Sequence, residues 1–169
     1  GLSYTRTKKA KYCVCGADAN DGTHLLTCCY VKGGAIIHRH DAVVKALANH
    51  IRKIGGQAKV EPRDPNARIK TRPDLEADLG SLHILIDVMV THPMAKSNLK
   101  SVLKSLGAAT KGEKGKIKKH GAKATGETIF VPYVVETIGG FGKEALALHR
   151  KLGSYGSQFN PFVTRNELI

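Results

Sequence analysis

The chain has 169 residues, enough for one domain with its own hydrophobic core. Its 27 Lys and Arg residues against 14 Asp and Glu residues give a formal net charge of +13, which predicts a polyanionic partner such as nucleic acid. The sequence lacks both an apolar stretch near the roughly 20 residues of a membrane-spanning helix and the apolar segment of a secretory signal. We therefore expect an intracellular, reducing setting, in which four cysteines bind metal rather than form disulfides.

Hydrophobic spacing predicts a mixed α/β core behind a Cys/His-rich start. We divide the chain into a basic lead with a zinc-binding segment at residues 1–40, a core at 41–153 and a weakly patterned tail at 154–169. Asp41 is expected to cap the first core helix, which ends at a Gly-Gly pair. The later elements are predicted as strands at 57–61, 71–79 and 82–91, a helix at 99–106, a strand at 128–137 and a helix at 145–152. Glycines leave the helicity of residues 111–123 open.

Four soft metal ligands fall within one short segment, in the order Cys13, Cys15, His24 and Cys28. Thiolates and imidazoles are the ligands of closed, four-coordinate zinc sites, which have no open position for catalysis. The spacing therefore predicts a structural Zn²⁺ ion in a segment too short to build its own core. Buried thiols or a disulfide are the alternatives to a metal. The competing ligands are Cys29 in place of Cys28, His38 and His40.

An aspartate interrupts the otherwise apolar strand at residues 84–90. If residues 80 and 81 form a two-residue turn, Leu79 pairs with Leu82 and Asp74 lies opposite Asp87. Two like charges so placed destabilise a sheet unless a cation lies between them. A hard divalent ion such as Mg²⁺ or Mn²⁺ suits two carboxylates and can activate water beside a phosphate. Glu76 shares this face and is a candidate outer contact; the alternative is that one aspartate pairs with a nearby Lys or Arg.

The segment Arg72-Pro73-Asp74-Leu75, followed after 12 residues by Asp87 in an apolar strand, resembles the motif of PD-(D/E)xK nucleases. The resemblance implies a helix-strand-strand-strand-helix-strand core. That family usually has a lysine two residues after the second acid, where this chain has Met89. In one branch, the restriction-enzyme-like endonuclease domain of site-specific non-LTR retrotransposons, the following helix supplies the lysine.

This chain is similar to that branch over about residues 13–152. The shared features are the upstream Cys/His motif, Arg39-His40-Asp41 at a helix start, a basic segment with Lys116 and Lys119-His120, and Pro132-Tyr133-Val134-Val135-Glu136-Thr137 before a glycine turn. By the resemblance Lys116 is the expected catalytic lysine, with Lys119 second and Lys114 third. Such a lysine orients the attacking water or neutralises transition-state charge.

The resemblance implies a Mg²⁺-dependent DNA endonuclease that acts on chromosomal DNA in the nucleus. Its nick would prime reverse transcription by a reverse transcriptase in the same polypeptide. Two other hypotheses stay open: a non-catalytic zinc-containing nucleic-acid-binding module, and a nuclease similar to Holliday-junction resolvases, which resemble the same core.

Basic residues on both sides of the aspartates are expected to contact DNA phosphates. These residues are Lys8, Lys9, Lys11, Arg39, His40, Arg72, Lys111, Lys114, Lys118 and Lys119. Arg72, next to Asp74, is the candidate clamp on the cleaved strand. Aromatic residues are too few for a platform that stacks single-stranded bases, so we expect double-stranded DNA as the partner.

Overall fold

The helices and strands form a mixed α/β fold around one four-stranded sheet, as predicted. The computed structural model describes residues 12–13, 15–18, 22–28, 35–61, 72–101, 103–121 and 126–159. In chain order the elements are α1 (Gly22–Thr27), α2 (Ala35–Lys53), β1 (Gln57–Val60), β2 (Leu75–Leu79), β3 (Leu82–Thr91), a 3₁₀ helix (Lys96–Asn98), α3 (Gly107–His120), β4 (Thr128–Glu136) and α4 (Lys143–Phe159).

The sheet has the order β1-β2-β3-β4, antiparallel except between β3 and β4, which are parallel. Leu79 pairs with Leu82 across the turn, so the predicted hairpin register is confirmed. Gly80 has a φ of 69°, a left-handed conformation that glycine adopts without steric cost. However, β2 begins at Leu75 rather than at residue 71, and Asp74 therefore lies just before the strand.

The two faces of the sheet have different environments. One face packs against α2 and α4 and forms the hydrophobic core, to which β3 contributes every second residue. These core residues of β3 are Ile84, Ile86 and Val88. The residues between them, including Asp87 and Met89, point to the other face, against which α3 packs. The candidate site therefore lies between β3 and α3, outside the main core.

Helix α2 starts earlier than predicted, at Ala35 instead of Asp41. The apolar spacing begins only at Val43, but the sequence has no helix-breaking residue between Gly34 and that point, so the helix extends through residues 35–42. The predicted cap at Asp41 is therefore wrong. Arg39, His40 and Asp41 lie inside the helix and project from its first turns.

The predicted helix at residues 99–106 is also wrong. Its leucines do not face the core, since Leu103 is 93% exposed. The described residues of this region instead form the 3₁₀ helix and turns, held by the buried Asn98 amide, which donates to Thr91 Oγ1 and to the His92 carbonyl at 2.9 Å each. The helix comes later, as α3, and includes Gly112 and Gly115, two of the glycines that had left the helicity of residues 111–123 open.

Gly112 lets α3 approach the sheet closely. A Cβ atom on this residue would meet Met89 Sδ and Val134 Cγ1 at 3.1 Å each. At the other end of the chain, α4 continues through Gly153 to Phe159, beyond the predicted helix end. None of the described helices combines the length and apolar character that a bilayer crossing requires.

Candidate active site and metal centre

Helix α3 brings Lys116 to the aspartate of β3. Asp87 is only 6% exposed, and its Oδ1 accepts a hydrogen bond from Lys116 Nζ at 2.7 Å. His120 Nε2 lies 3.5 Å from Oδ2 of the same carboxylate. Lys116 and His120 are four residues apart and so lie on one face of the helix. The structure thus brings together Asp87 and the first-choice lysine of the sequence prediction.

Asp74 lies beside this pair and is held by two donors. Its Oδ2 accepts the Val88 backbone N–H at 2.6 Å and lies 3.2 Å from His40 Nε2. Burial raises the pKa of Asp74, and its hydrogen bond with the Asp87 carboxyl raises the pKa further, against the opposing effects of Val88 and His40. The two carboxyl groups predicted to face each other are therefore neighbours, close enough for Asp87 to raise the pKa of Asp74.

A contact between two carboxyl groups is favourable when a proton or a cation is shared between them. Both groups offer hard oxygen ligands, the type that Mg²⁺ and Mn²⁺ prefer. The donor set at Asp74 and Asp87 therefore fits a small divalent ion. Glu76, the candidate outer contact, lies towards the hairpin turn, where its Oε1 is 3.2 Å from His83 Nε2.

The other candidate lysines that the structure describes, and Arg72, make no ion pair with Asp74 or Asp87. Lys114, Lys118 and Lys119 are exposed on α3, and Arg72 is exposed before β2. Lys111 Nζ donates to the Ser97 carbonyl. Lys8, Lys9 and Lys11 lie outside the described residues. DNA contacts by all of these residues stay predictions.

Arg39 and His40, also predicted as DNA contacts, form bonds within the chain. Arg39 Nη2 donates to the Leu26 carbonyl at 2.6 Å. His40 has a carboxylate beside each ring nitrogen, Asp41 Oδ1 at 3.1 Å from Nδ1 and Asp74 at Nε2. Burial opposes protonation of His40, but the two carboxylates outweigh it and raise its pKa. The imidazolium form donates to both.

The sequence motifs included His40 and His120, but they did not predict that these histidines contact Asp74 and Asp87. The signal for His120 was its spacing, four residues after Lys116 in a segment whose helicity was left open. No comparable signal existed for His40, because its contact with Asp74 joins parts of the chain that are distant in sequence.

A second centre is formed by Cys13, Cys15, His24 and Cys28. Their ligand atoms all lie within 4.8 Å of one another. The Cys13–Cys28 and Cys15–Cys28 sulfur separations are 3.6 and 3.8 Å, and Cys15 Sγ lies 3.3 Å from His24 Nε2. Zn–S bonds of about 2.3 Å in a tetrahedron place sulfurs about 3.8 Å apart. This group could hold a metal ion such as zinc.

Local backbone geometry builds this centre. A tight turn, in which Gly16 has a φ of 85° and donates its N–H to the Cys13 carbonyl at 2.8 Å, brings the first two cysteines together. Helix α1 supplies His24, and Cys28 follows one turn later, with its N–H bonded to the His24 carbonyl at 2.8 Å. The Cys15 backbone N–H and His24 lower the pKa of the Cys13 thiol to about 6, which favours the thiolate that binds metal.

Of the alternative ligands, the two that the structure describes, His38 and His40, are not in this group. His40 lies at Asp74, His38 is exposed on α2, and Cys29 is outside the described residues. Searches with the sequence against protein-family models and against curated proteins return no match. Neither comparison therefore assigns the chain to a family.

Proposed function

We propose that this chain is a Mg²⁺-dependent DNA endonuclease domain that hydrolyses a phosphodiester bond at Asp74, Asp87 and Lys116. The observation that supports the proposal most is the 2.7 Å contact of Lys116 Nζ with the buried Asp87, whose carboxyl group also lies close enough to Asp74 to raise the pKa of that residue. A buried carboxylate in an apolar strand is costly, and such costs are concentrated at functional sites. The net charge of +13 suits a nucleic-acid substrate.

Each residue has a role that follows from its contacts. A divalent ion bound by the two carboxylates would supply an acidified water and positive charge beside the scissile phosphate. Lys116 has three N–H donors, of which Asp87 accepts one. The remaining donors can orient the attacking water or bind a phosphate oxygen in the transition state. Asp74 is oriented before the substrate binds, because Val88 and His40 hold the same oxygen.

The exposed lysines of α3 give the substrate a place to bind. Lys118 and Lys119 follow Lys116 directly in this helix, and Lys114 precedes it by two residues. They extend the positive charge of Lys116 along the outside of α3, where the phosphates flanking the scissile bond of a duplex would bind. From the resemblance, we further propose that the nick primes reverse transcription in the nucleus by a reverse transcriptase of the same polypeptide.

The test is a nicking assay on supercoiled plasmid with Mg²⁺, Mn²⁺ or a chelator. Asp74→Asn and Asp87→Asn are expected to lower the nicking rate by about 10³-fold or more, because the ion loses a charged ligand and its charge stabilisation. DNA affinity should be retained. Asp78→Asn is the matched control, since Asp78 lies on the same hairpin but bonds His83 at the turn end. Absence of nicking by the parent protein with either metal would contradict the proposal.

A non-catalytic nucleic-acid-binding module is the second candidate. The observation in its favour is that both aspartates already have cationic neighbours, Lys116 and His120 for Asp87 and His40 for Asp74. In that case Lys116→Met should lower stability. The parent protein should bind DNA but never nick it. Including four-way junctions among the substrates separates a junction-resolving nuclease from one that cuts linear duplexes.

A further inference from the structure

We propose that Arg39, His40 and Asp41 form a positioning link that couples the zinc-binding segment to Asp74. The proposal rests on the proposed nuclease function and on a metal ion bound by the Cys/His group. It assigns these residues a role inside the protein, ahead of any contact they make with DNA.

The first half of the link joins α2 to the metal centre. Arg39 Nη2 donates to the Leu26 carbonyl at 2.6 Å. Leu26 lies in α1, between the two metal ligands His24 and Cys28. Charge-assisted hydrogen bonds of this type are about twice as strong as neutral ones. The position of Arg39 therefore depends on α1, whose geometry a bound metal ion would fix.

The second half of the link joins α2 to the candidate active site. His40, the next residue, lies 3.2 Å from Asp74 Oδ2 through Nε2 and 3.1 Å from Asp41 Oδ1 through Nδ1. Asp41 thereby orients the ring, and the ring orients the carboxylate that is proposed to bind metal. Carboxylates that bind metal ions are commonly oriented by hydrogen bonds from neighbouring groups.

The first turns of α2 have little other support. The apolar residues that anchor the helix in the core begin at Val44, after the link. Before it, Ile37 is 64% exposed and Ile36 is also exposed. Segments with few buried apolar contacts move most easily. The polar bonds of Arg39 and His40 thus hold this end of the helix, and loss of the bond to α1 should displace His40 and then Asp74.

The test compares Arg39→Gln with Arg52→Gln. Arg52 is the matched control because it lies on the same helix and also donates to a backbone carbonyl, that of Ala58 at 2.7 Å, away from both centres. The readouts are zinc content, DNA affinity, the kcat of nicking and the NMR shift of the Val88 amide. This amide donates to Asp74 Oδ2, so its shift reports the position of the carboxylate without any activity.

Arg39→Gln is expected to keep its zinc and its DNA affinity, to shift the Val88 amide and to lower kcat by about 10- to 100-fold. Arg52→Gln should resemble the parent in all four readouts. Removal of zinc with a chelator should shift the Val88 amide in the parent and in Arg52→Gln. It should have little effect on this amide in Arg39→Gln, where the link is already cut.

An unchanged Val88 amide in Arg39→Gln and in the chelated parent would overturn the link, as would equal effects of the two arginine substitutions. A loss of DNA affinity at unchanged kcat would identify Arg39 as a phosphate contact instead. If Arg39→Gln loses its fold, the chelated parent decides the question. If the parent never nicks DNA, the nuclease proposal fails, while the Val88 amide still tests the structural link.

Discussion

The burial of Asp87 and its ion pair with Lys116 are the most informative features of this site. A carboxylate that is almost fully buried in an apolar strand needs a compensating charge, and Lys116 supplies it from the neighbouring helix. One side chain therefore neutralises a buried charge, and in the proposed mechanism its remaining donors would bind a substrate phosphate or the attacking water.

Lys116→Ala should lower the kcat of nicking by about 10²- to 10³-fold with a small change in DNA affinity, because a charge is lost beside the reacting phosphate. Lys119→Ala is the matched control on the same helix, since its exposed side chain makes no ion pair with either aspartate in the described part of the chain. It should weaken DNA binding and reduce its salt dependence at nearly unchanged kcat. Equal losses of kcat in both variants would contradict the assignment of Lys116.

Among the elements, α3 decides whether the site forms. Its close approach depends on Gly112, which lies four residues before Lys116 and so on the same face of the helix. Gly112 lies against Met89, the position where the nucleases that the sequence resembles usually have their lysine. The space beside Met89 is filled by the helix, and the lysine reaches Asp87 from the next turn.

Gly112→Val should lower the free energy of unfolding by about 1–3 kcal/mol, because the added side chain overpacks the contact with Met89 and Val134. It should also lower kcat by moving Lys116 away from Asp87. Gly115→Ala is the control, since a Cβ there meets no atom within 4 Å. It should raise stability by about 1 kcal/mol through helix propensity. Urea unfolding of both variants checks the prediction, and a stable, active Gly112→Val would refute it.

The sequence predicted the elements whose signals are local. The β2–β3 register followed from a two-residue turn, because one pairing across Gly80 and Ser81 determines all the others. The prediction from sequence was wrong for α3. Leucine spacing indicated a helix at residues 99–106, and the glycines disfavoured a helix where α3 lies. Glycine is unfavourable for an isolated helix, but Gly112 is favoured here by tertiary packing that no local pattern contains.

The candidate site was predictable to a similar extent. Ligand spacing alone identified the Cys/His group with Cys28 as its fourth ligand and Cys29 as the alternative, and the structure brings Cys28 into the group. Asp74 and Asp87 followed from the hairpin register. Lys116 followed only from the resemblance, since nothing in the composition of the basic segment separates it from its neighbouring lysines. The contact of His40 with Asp74 required the three-dimensional structure.

For the molecule as a whole, a bound metal and the sheet are expected to stabilise different regions. Chelation of zinc should unfold the segment of Cys13, Cys15, His24 and Cys28, because the ion replaces a hydrophobic core there. The sheet should persist, since its core is formed by α2, α4 and the strands. Amide resonances of the segment should collapse to unfolded positions while those of Ile84 and Ile86 stay dispersed. Loss of both sets together would contradict two separately stabilised regions.

Acid should also destabilise the fold through buried histidines between α2 and α4. Burial lowers the pKa of His149, as does the nearby His50, and burial with Lys53 lowers the pKa of His50. Burial raises the pKa of Tyr133 to about 12, so its hydroxyl stays protonated and shares a hydrogen bond of 2.7 Å with His149 Nε2. The unfolded chain binds protons at these two histidines more tightly than the folded chain does. Their contribution to stability is therefore complete above pH 6.5 and is lost as the pH drops through the lowered pKa values.

His149→Gln should therefore flatten the dependence of unfolding free energy on pH below 6.5, measured by urea unfolding on both sides of that value. His38→Gln is the control, because His38 is exposed on α2. A steep loss of stability that is the same in both variants would show that other groups are responsible.

The direct test of the proposed active site asks whether one divalent ion binds both Asp74 and Asp87. The measurement is a crystal structure of the full chain grown with Mn²⁺, with anomalous data collected at the manganese edge. We predict a peak about 2.1 Å from a carboxylate oxygen of each aspartate, with Lys116 Nζ beside it. Anomalous scattering confined to the Cys/His group, with Lys116 still bonded to Asp87, would contradict a metal-dependent nuclease.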